Sequence, residues 1–299
     1  MAEVGVIAVK PEAPAPAAIL SQGYWALVRY RLLRDRTTLV CGAILLVIIL
    51  AAIFAPYLAP ADPYKTSMLR RLQPVFKAPY LIGSDELGRD MLSRLIYGGR
   101  LSLVMGITPV LNALIIGGAL GIVAGYLGGA VNMAIMRLVD VLYAFPSILL
   151  AIAIAGALGT GLTNSIVALT IVFVPQVARV AETVTTQVRG LDYVDAARAS
   201  GASTWAILRV HVLGNVLGPI FVYATGLISV SIILASGLSF IGLGVKPPEP
   251  EWGLMLNTLR QSIFVNPTVA ALPGAMIFMT SMAFNLMSDG LRAAMDVKA

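Results

Sequence analysis

Six apolar runs separated by polar stretches give the chain its pattern, at residues 39–59, 101–126, 139–158, 162–178, 212–241 and 268–288. Each approaches or exceeds the length of a helix of roughly 20 residues that crosses a bilayer. None holds an Asp, Glu, Lys or Arg apart from Asp140, near the start of the third run. Helices satisfy their backbone polar groups internally, as lipid demands. The pattern therefore predicts an all-α membrane protein with six transmembrane helices. Two polar stretches are long enough to be structured in their own right. Residues 62–100 end in an amphipathic part, 85–97, suited to lying along a membrane surface, and residues 179–211 separate the fourth and fifth runs.

Composition supports the same class. Of 299 residues, 58% are hydrophobic and 12% charged, against about 25% charged in soluble domains. A soluble globular surface and a wholly disordered chain are both excluded. Cys41 is the single cysteine and His211 the single histidine, so neither an internal disulfide nor the usual zinc cluster is available. The net charge of +6 reads as membrane orientation. Basic clusters interleaved with aromatic residues are absent, so no nucleic-acid partner is expected. Arg29, Arg31, Arg34 and Arg36 precede the first run and the next basic residue after it is Lys65, which orients the first helix with its N-terminus in the cytoplasm. Six crossings put both termini in the cytoplasm, 62–100 outside and 179–211 inside. Pro11, Pro14 and Pro16 among alanines mark 1–23 as a flexible cytoplasmic tail without the apolar core of a signal peptide. Residues 24–100 then form the first helix with its external segment, and 101–299 a five-helix core.

Within the runs, Gly117, Gly121, Gly125 and Gly129 recur every four residues, so one face of the second span is nearly bare backbone for another helix to approach. Pro146 and Pro175 fall inside runs and shape or kink their helices. Arg137 and Asp140, three apart, are spaced to pair. Asn112 and Asn285 are candidates for lining a pathway, and hydrogen bonding between helices accounts for them equally well. No Gly-x-Ser-x-Gly, His-Glu-x-x-His or phosphate-binding Gly-x-x-x-x-Gly-Lys occurs. The expectation is no catalytic residue, no metal and no cofactor bound by this chain; any ATP must be hydrolysed by another subunit.

The strongest local feature is residues 195–205. Good helix formers run up to Gly201, which suits the left-handed residue ending a helix, and Ser203 suits the N-cap of the next. Ala196, Ala197 and Ala199 offer a face of small side chains fitted to a groove on another protein; a solvated loop is the alternative.

The run 193–215, YVDAARASGASTWAILRVHVLGN, resembles the EAA loop of ABC-importer permeases. Asp195 stands at the Glu position, Ala196, Ala197, Gly201 and Leu213 match, and His211 and Gly214 stand where the pattern has Ile and Pro. Residues 83–90 (GSDELGRD), 140–150 (DVLYAFPSILL) and 238–253 (LSFIGLGVKPPEPEWG) are similar to stretches of the C-type subunit of the dipeptide and oligopeptide permease subfamily. The likeness covers nearly the whole chain after the tail. It implies a type I ABC importer permease with a MetI-like fold in a bacterial inner membrane. Its implied partners are a second homologous permease, two cytoplasmic ABC ATPases that use ATP and Mg, and an extracytoplasmic substrate-binding protein. Asp195, Ala196, Ala197, Arg198, Gly201, Ala202 and Ser203 would form the element that docks in the ATPase. The implied solute is a dipeptide or oligopeptide. Nickel, glutathione or another small solute is the alternative within the family, and a self-sufficient channel or secondary carrier the alternative outside it.

Overall fold

The computed structural model describes residues 24–295; the expected tail at 1–23 lies outside the described residues. Among these the regular elements are helices, with one isolated bridge between Ser84 and Asp90. In order they are α1 (Tyr24–Arg34), α2 (Arg36–Ile53), α3 (Ala55–Leu58), α4 (Met91–Leu127), α5 (Gly129–Tyr143), α6 (Ser147–Leu158), α7 (Leu162–Arg189), α8 (Asp192–Ala199), α9 (Thr204–Phe240), α10 (Trp252–Leu259) and α11 (Pro267–Met295). Short 3₁₀ turns lie at Met68–Arg70 and Arg260–Phe264, and α9 contains a π-helical turn at Leu208–Val212.

Helices α2, α4, α7, α9 and α11 are long and apolar enough to cross a membrane, whereas α5 and α6 make a sixth crossing only as a pair bent by 88°. The run at 139–158 is thus not one straight helix. Pro146 has no amide to donate and its ring crowds the preceding turn. As a result α5 stops at Tyr143 and α6 starts with Pro146 as its N-cap. Helix α9 begins at Thr204, just after the expected N-cap Ser203, and a π-helical turn carries it through His211 into the fifth apolar run without a break. At 37 residues each, α4 and α9 are about 55 Å long, so they project beyond a hydrocarbon core about 30 Å thick.

Asp35 caps α2 by accepting from the amides of Thr37 and Thr38. From there Thr38, Cys41, Leu45, Ile48 and Ala52 recur at helical spacing and are buried, while Leu39, Val40, Leu46 and Val47 remain exposed. A helix apolar on all sides with one stripe packed inward is what lipid on the other side requires. That stripe joins Ile232, Trp252, Met255 and Phe284 in a core shared by α2, α4, α9, α10 and α11. A second core, with Met105, Leu169, Phe173, Val216 and Ile220, joins α4, α7 and α9. The contact of α4 with α7 depends on missing side chains. A methyl group on Gly117 or Gly125 would stand 2.6 Å from the carbonyl oxygen of Val174 or Glu182, and Gly121 is at least as tightly placed against Ala178. Gly129 departs from this stripe. It lies past the end of α4, has φ of 52° as the first residue of α5, and no atom lies within 4 Å of the position a Cβ would take.

At the start of α4, residues 85–97 do not form a helix along a membrane surface. Residues 85–90 make a turn, and Met91, Ser93, Arg94 and Leu95 are buried in the first turns of α4. The polar positions that give the stretch its amphipathic look pair with one another. Arg89 Nε lies 2.6 Å and Arg94 Nε 3.1 Å from Asp85 Oδ2, with all three side chains 4% exposed or less. Arg94 also donates to the carbonyls of Pro63 and Pro248, and Asn266 donates to those of Leu72 and Gln73. These bonds tie the 62–90 segment to α4, the loop after α9 and the start of α11. Glu86 sits beside the cluster, 2.8 Å from Arg89. Burial, and then the neighbouring Asp85 carboxylate, push its pKa up.

Candidate functional site

The α8 helix and its turn follow from local chemistry. Gly201 takes φ of 79°, its amide donates to Arg198, and the amide of Ala202 donates to Ala197, which together close the C-terminus of α8 in a Schellman motif. Ser203 then accepts from the amide of Ala206 at 3.3 Å and caps α9. Asp195 and Arg198 pair at 2.8 Å on the solvent side. Two fully apolar side chains anchor the unit: Val194 is 0% and Ile207 2% exposed. Ala197 and Ala202 pack partly buried against the same core, while Ala196, Ala199 and Gly201 are exposed. The small-residue face is therefore divided, with Ala197 turned toward the protein's own core and Ala196 and Ala199 outward.

The unit is also wired to the long helices. Arg198 stacks over Tyr126 near the end of α4, 5.9 Å from guanidinium carbon to ring centroid. Asn215 in α9 donates to the Tyr193 hydroxyl at 3.1 Å and to the His211 carbonyl at 2.7 Å. His211 is thus part of the junction between α8 and α9. These contacts, with Val194, join α8 to α4 and α9.

A second constellation lies where α5 meets α7. Asp140 pairs with Arg179 at 2.5 Å, not with Arg137, and the two side chains are 46% and 47% exposed. The Arg179 guanidinium also lies 5.0 Å from the centroid of the Tyr143 ring. Next to it the bend between α5 and α6 opens a cavity of about 440 Å³ lined by residues 142–147, Leu150, Val172 and Gln176. Gln176 donates to Ser147 at 3.5 Å across it. Sequence spacing favoured Arg137 for Asp140. The clue to Arg179 was its position as the first cation after the fourth apolar run.

Asn112 and Asn285 are not brought together in such a cluster. Asn112 donates to Thr170 at 3.4 Å within the contact of α4 with α7, and Asn285 is exposed on α11. Among the described residues no group of three or more His, Cys, Asp or Glu side chains is placed to hold a metal ion.

Comparison with known proteins agrees with this architecture. Residues 117–298 match the family described as binding-protein-dependent transport system inner membrane component, and residues 23–74 match the N-terminal TM domain of oligopeptide transport permease C. The glutathione transport system permease protein GsiD of Pectobacterium atrosepticum is 43% identical over 90% of this chain and 89% of its own length. The di/tripeptide transport system permease protein DppC of Pseudomonas aeruginosa is 44% identical over 85% and 86%. The dipeptide transport system permease protein DppC of Alkalihalophilus pseudofirmus is 39% identical over 97% and 95%. A chain of the MetNI methionine ABC transporter superposes with a TM-score of 0.56 at 20% identity, over 68% of this chain and 97% of that one, a likeness of fold. Family match, relatives and helical architecture agree: the chain belongs to the binding-protein-dependent transport system inner membrane components, as a multi-pass permease subunit of an ABC importer and not an enzyme.

Proposed function

We propose that this chain is the C-type permease of an ATP-driven importer of dipeptides, oligopeptides or a peptide-like solute such as glutathione. It forms the pathway with a second homologous permease, receives solute from an extracytoplasmic binding protein and is driven by two cytoplasmic ABC ATPases that use ATP and Mg. The end of the bundle carrying α8 faces the cytoplasm with both termini, and the 62–90 segment faces outward. The relatives supply the solute class: those at 39–44% identity carry names for glutathione, dipeptide or di/tripeptide transport.

One observation carries the mechanism. The unit of α8, its turn and the start of α9 is pinned to the core by Val194 and Ile207 yet leaves Ala196, Ala199 and Gly201 bare at the surface. Small exposed side chains on a well-anchored helix suit insertion into a cleft of another protein. Closure of the ATPases would then push α8, and through Tyr126, Asn215 and the core beneath Val194 the push would reach α4, α7 and α9 as rigid bodies. Asp195, Arg198, Ala202 and Ser203 hold the shape of this unit, by their ion pair, packing and cap.

The test is Ala199→Glu, which places a charge in the docked surface without touching the core, against Gln187→Glu on exposed α7 surface. Ala199→Glu should abolish uptake of a labelled dipeptide into proteoliposomes containing the complete importer and release the ATPases on purification. Gln187→Glu should leave both intact. Normal uptake and ATPase retention by Ala199→Glu would refute docking through α8.

A further inference from the structure

Helices α5 and α6 form the least covered span of the fold. Between residues 129 and 158 only Val139, Ala151 and Ala155 are buried, and the bend itself, at Ala144, Phe145 and Pro146, is exposed. Within a bilayer, irregular backbone is tolerated only where it is covered by protein or lines a water-filled cavity, since lipid cannot satisfy its polar groups. The ion pair of Asp140 and Arg179 on this same face points the same way, because charges within membrane spans face bundle interiors or water. Arg179 is 17 residues below the start of α7 at Leu162, about 26 Å at helical rise, near the far side of the hydrocarbon core. The bend and its cavity lie one helical turn from Asp140, toward the middle of α7 at Val172 and Gln176.

Two independent features, broken backbone and half-exposed paired charge, thus mark one surface as turned from lipid toward the second permease and the pathway between them. Its chemistry is a cation and an anion side by side, an aromatic face, and the polar groups of Ser147 and Gln176 beside the bend. Empty, the two charges neutralise each other. An ion pair this exposed contributes little to stability, so opening it costs little. A solute bringing its own ammonium and carboxylate exchanges one pair for two, with little net change. Such near balance suits a pathway, where a solute must bind well enough to enter and weakly enough to leave.

We propose that Asp140, Arg179 and the adjoining cavity at the bend form a solute-contacting station for zwitterionic peptides, in which Arg179 takes the carboxylate and Asp140 the ammonium. This assignment rests on the peptide-importer reading above. It moves the solute pathway from Asn112 and Asn285 to the face of α5, α6 and α7.

The test uses the complete importer in proteoliposomes and three solutes: a free dipeptide, its C-terminal amide and its N-acetyl form. Each is supplied at saturating binding protein, whose affinity for it is measured separately. For a solute the binding protein refuses, protection of Phe145→Cys from a methanethiosulfonate reagent, in a Cys41→Ala background, replaces uptake. Arg179→Gln should slow or weaken handling of the free dipeptide about tenfold, the size of one charge-assisted contact, and leave the amide unchanged relative to the parent importer. Asp140→Asn should do the mirror image with the N-acetyl form. Arg179→Lys should restore dependence on the carboxylate, and Arg137→Gln should behave as the parent. Equal losses for all three solutes would make the pair a structural strut, and no loss would make it a bystander; either result overturns the proposal. If the parent importer handles none of the three, the peptide-importer reading itself fails, and this proposal with it.

Discussion

Asp85 and Arg89 are 1% and 4% exposed, whereas Asp140 and Arg179 are 46% and 47% exposed. Both are carboxylate–guanidinium pairs within 2.6 Å, and they lie toward opposite ends of the bundle. Asp85 accepts hydrogen bonds from the amides of Leu87 and Arg89 and from the Arg89 guanidinium, and Arg94 Nε adds its charge 3.1 Å away. A buried charge needs such partners, because water is not there to replace a lost one. Asp140 and Arg179 are half-exposed, and the solute station proposed above requires that a solute can take the place of either partner. Burial, more than charge, separates a cluster locked into the fold from one left half-exposed at its surface.

That contrast can be broken by experiment. The largest effect is expected from Asp85→Ala, which strands Arg89 and Arg94 and should cost about 3–5 kcal/mol. It would be seen as a large fall in thermal midpoint of the detergent-solubilised chain; a fall no greater than that of Asp140→Ala would erase the distinction. Next is Asp140→Ala itself, expected to cost about 1 kcal/mol or less while impairing uptake. Smaller again is the response to salt. The coupling energy of Asp140 with Arg179 from a double-mutant cycle should shrink from low to high ionic strength, because exposed charges are screened, and that of Asp85 with Arg94 should hold. Loss of both in parallel would mean that the 62–90 segment is wetter than its packing implies.

The smallest effect concerns Glu86. Its folded-state pKa is raised by burial and by Asp85, so the folded chain holds this proton more tightly than the unfolded one. The stabilisation from that proton is complete below the ordinary value of 4.5 and is lost as pH rises through the folded value. Glu86→Gln should therefore gain thermal midpoint relative to the parent between acid and neutral pH. A constant difference across that range would show that Arg89 fully offsets the burial of Glu86.

Some of this was readable in order along the chain. The positions of α2, α4, α7, α9 and α11 follow from hydropathy, which each residue carries regardless of its neighbours in space. The turn after α8 follows from Gly201 and Ser203, whose capping bonds reach no further than five residues. Pro146 announced a disturbance in the third span, since its missing amide acts on its own turn. The size of the bend, 88°, did not follow, because the direction in which α6 departs is set by how it packs on α7.

Tertiary structure decided the partners. Asp140 had a cation three residues away in Arg137 and took one 39 residues away in Arg179, because α5 lies against α7 on that side. The polar residues of 85–97 looked made for a membrane surface and instead close on one another and on the carbonyls of Pro63 and Pro248. Ala197 looked like its neighbours Ala196 and Ala199 and was turned inward by the anchoring of Val194. The sequence by itself determined which segments enter the membrane and where short-range capping ends a helix, because transfer energy and local hydrogen bonds depend on a few adjacent residues. Which charges are buried, which are paired and which stay exposed depended on contacts between helices far apart in the chain, and only the packed fold brings those together.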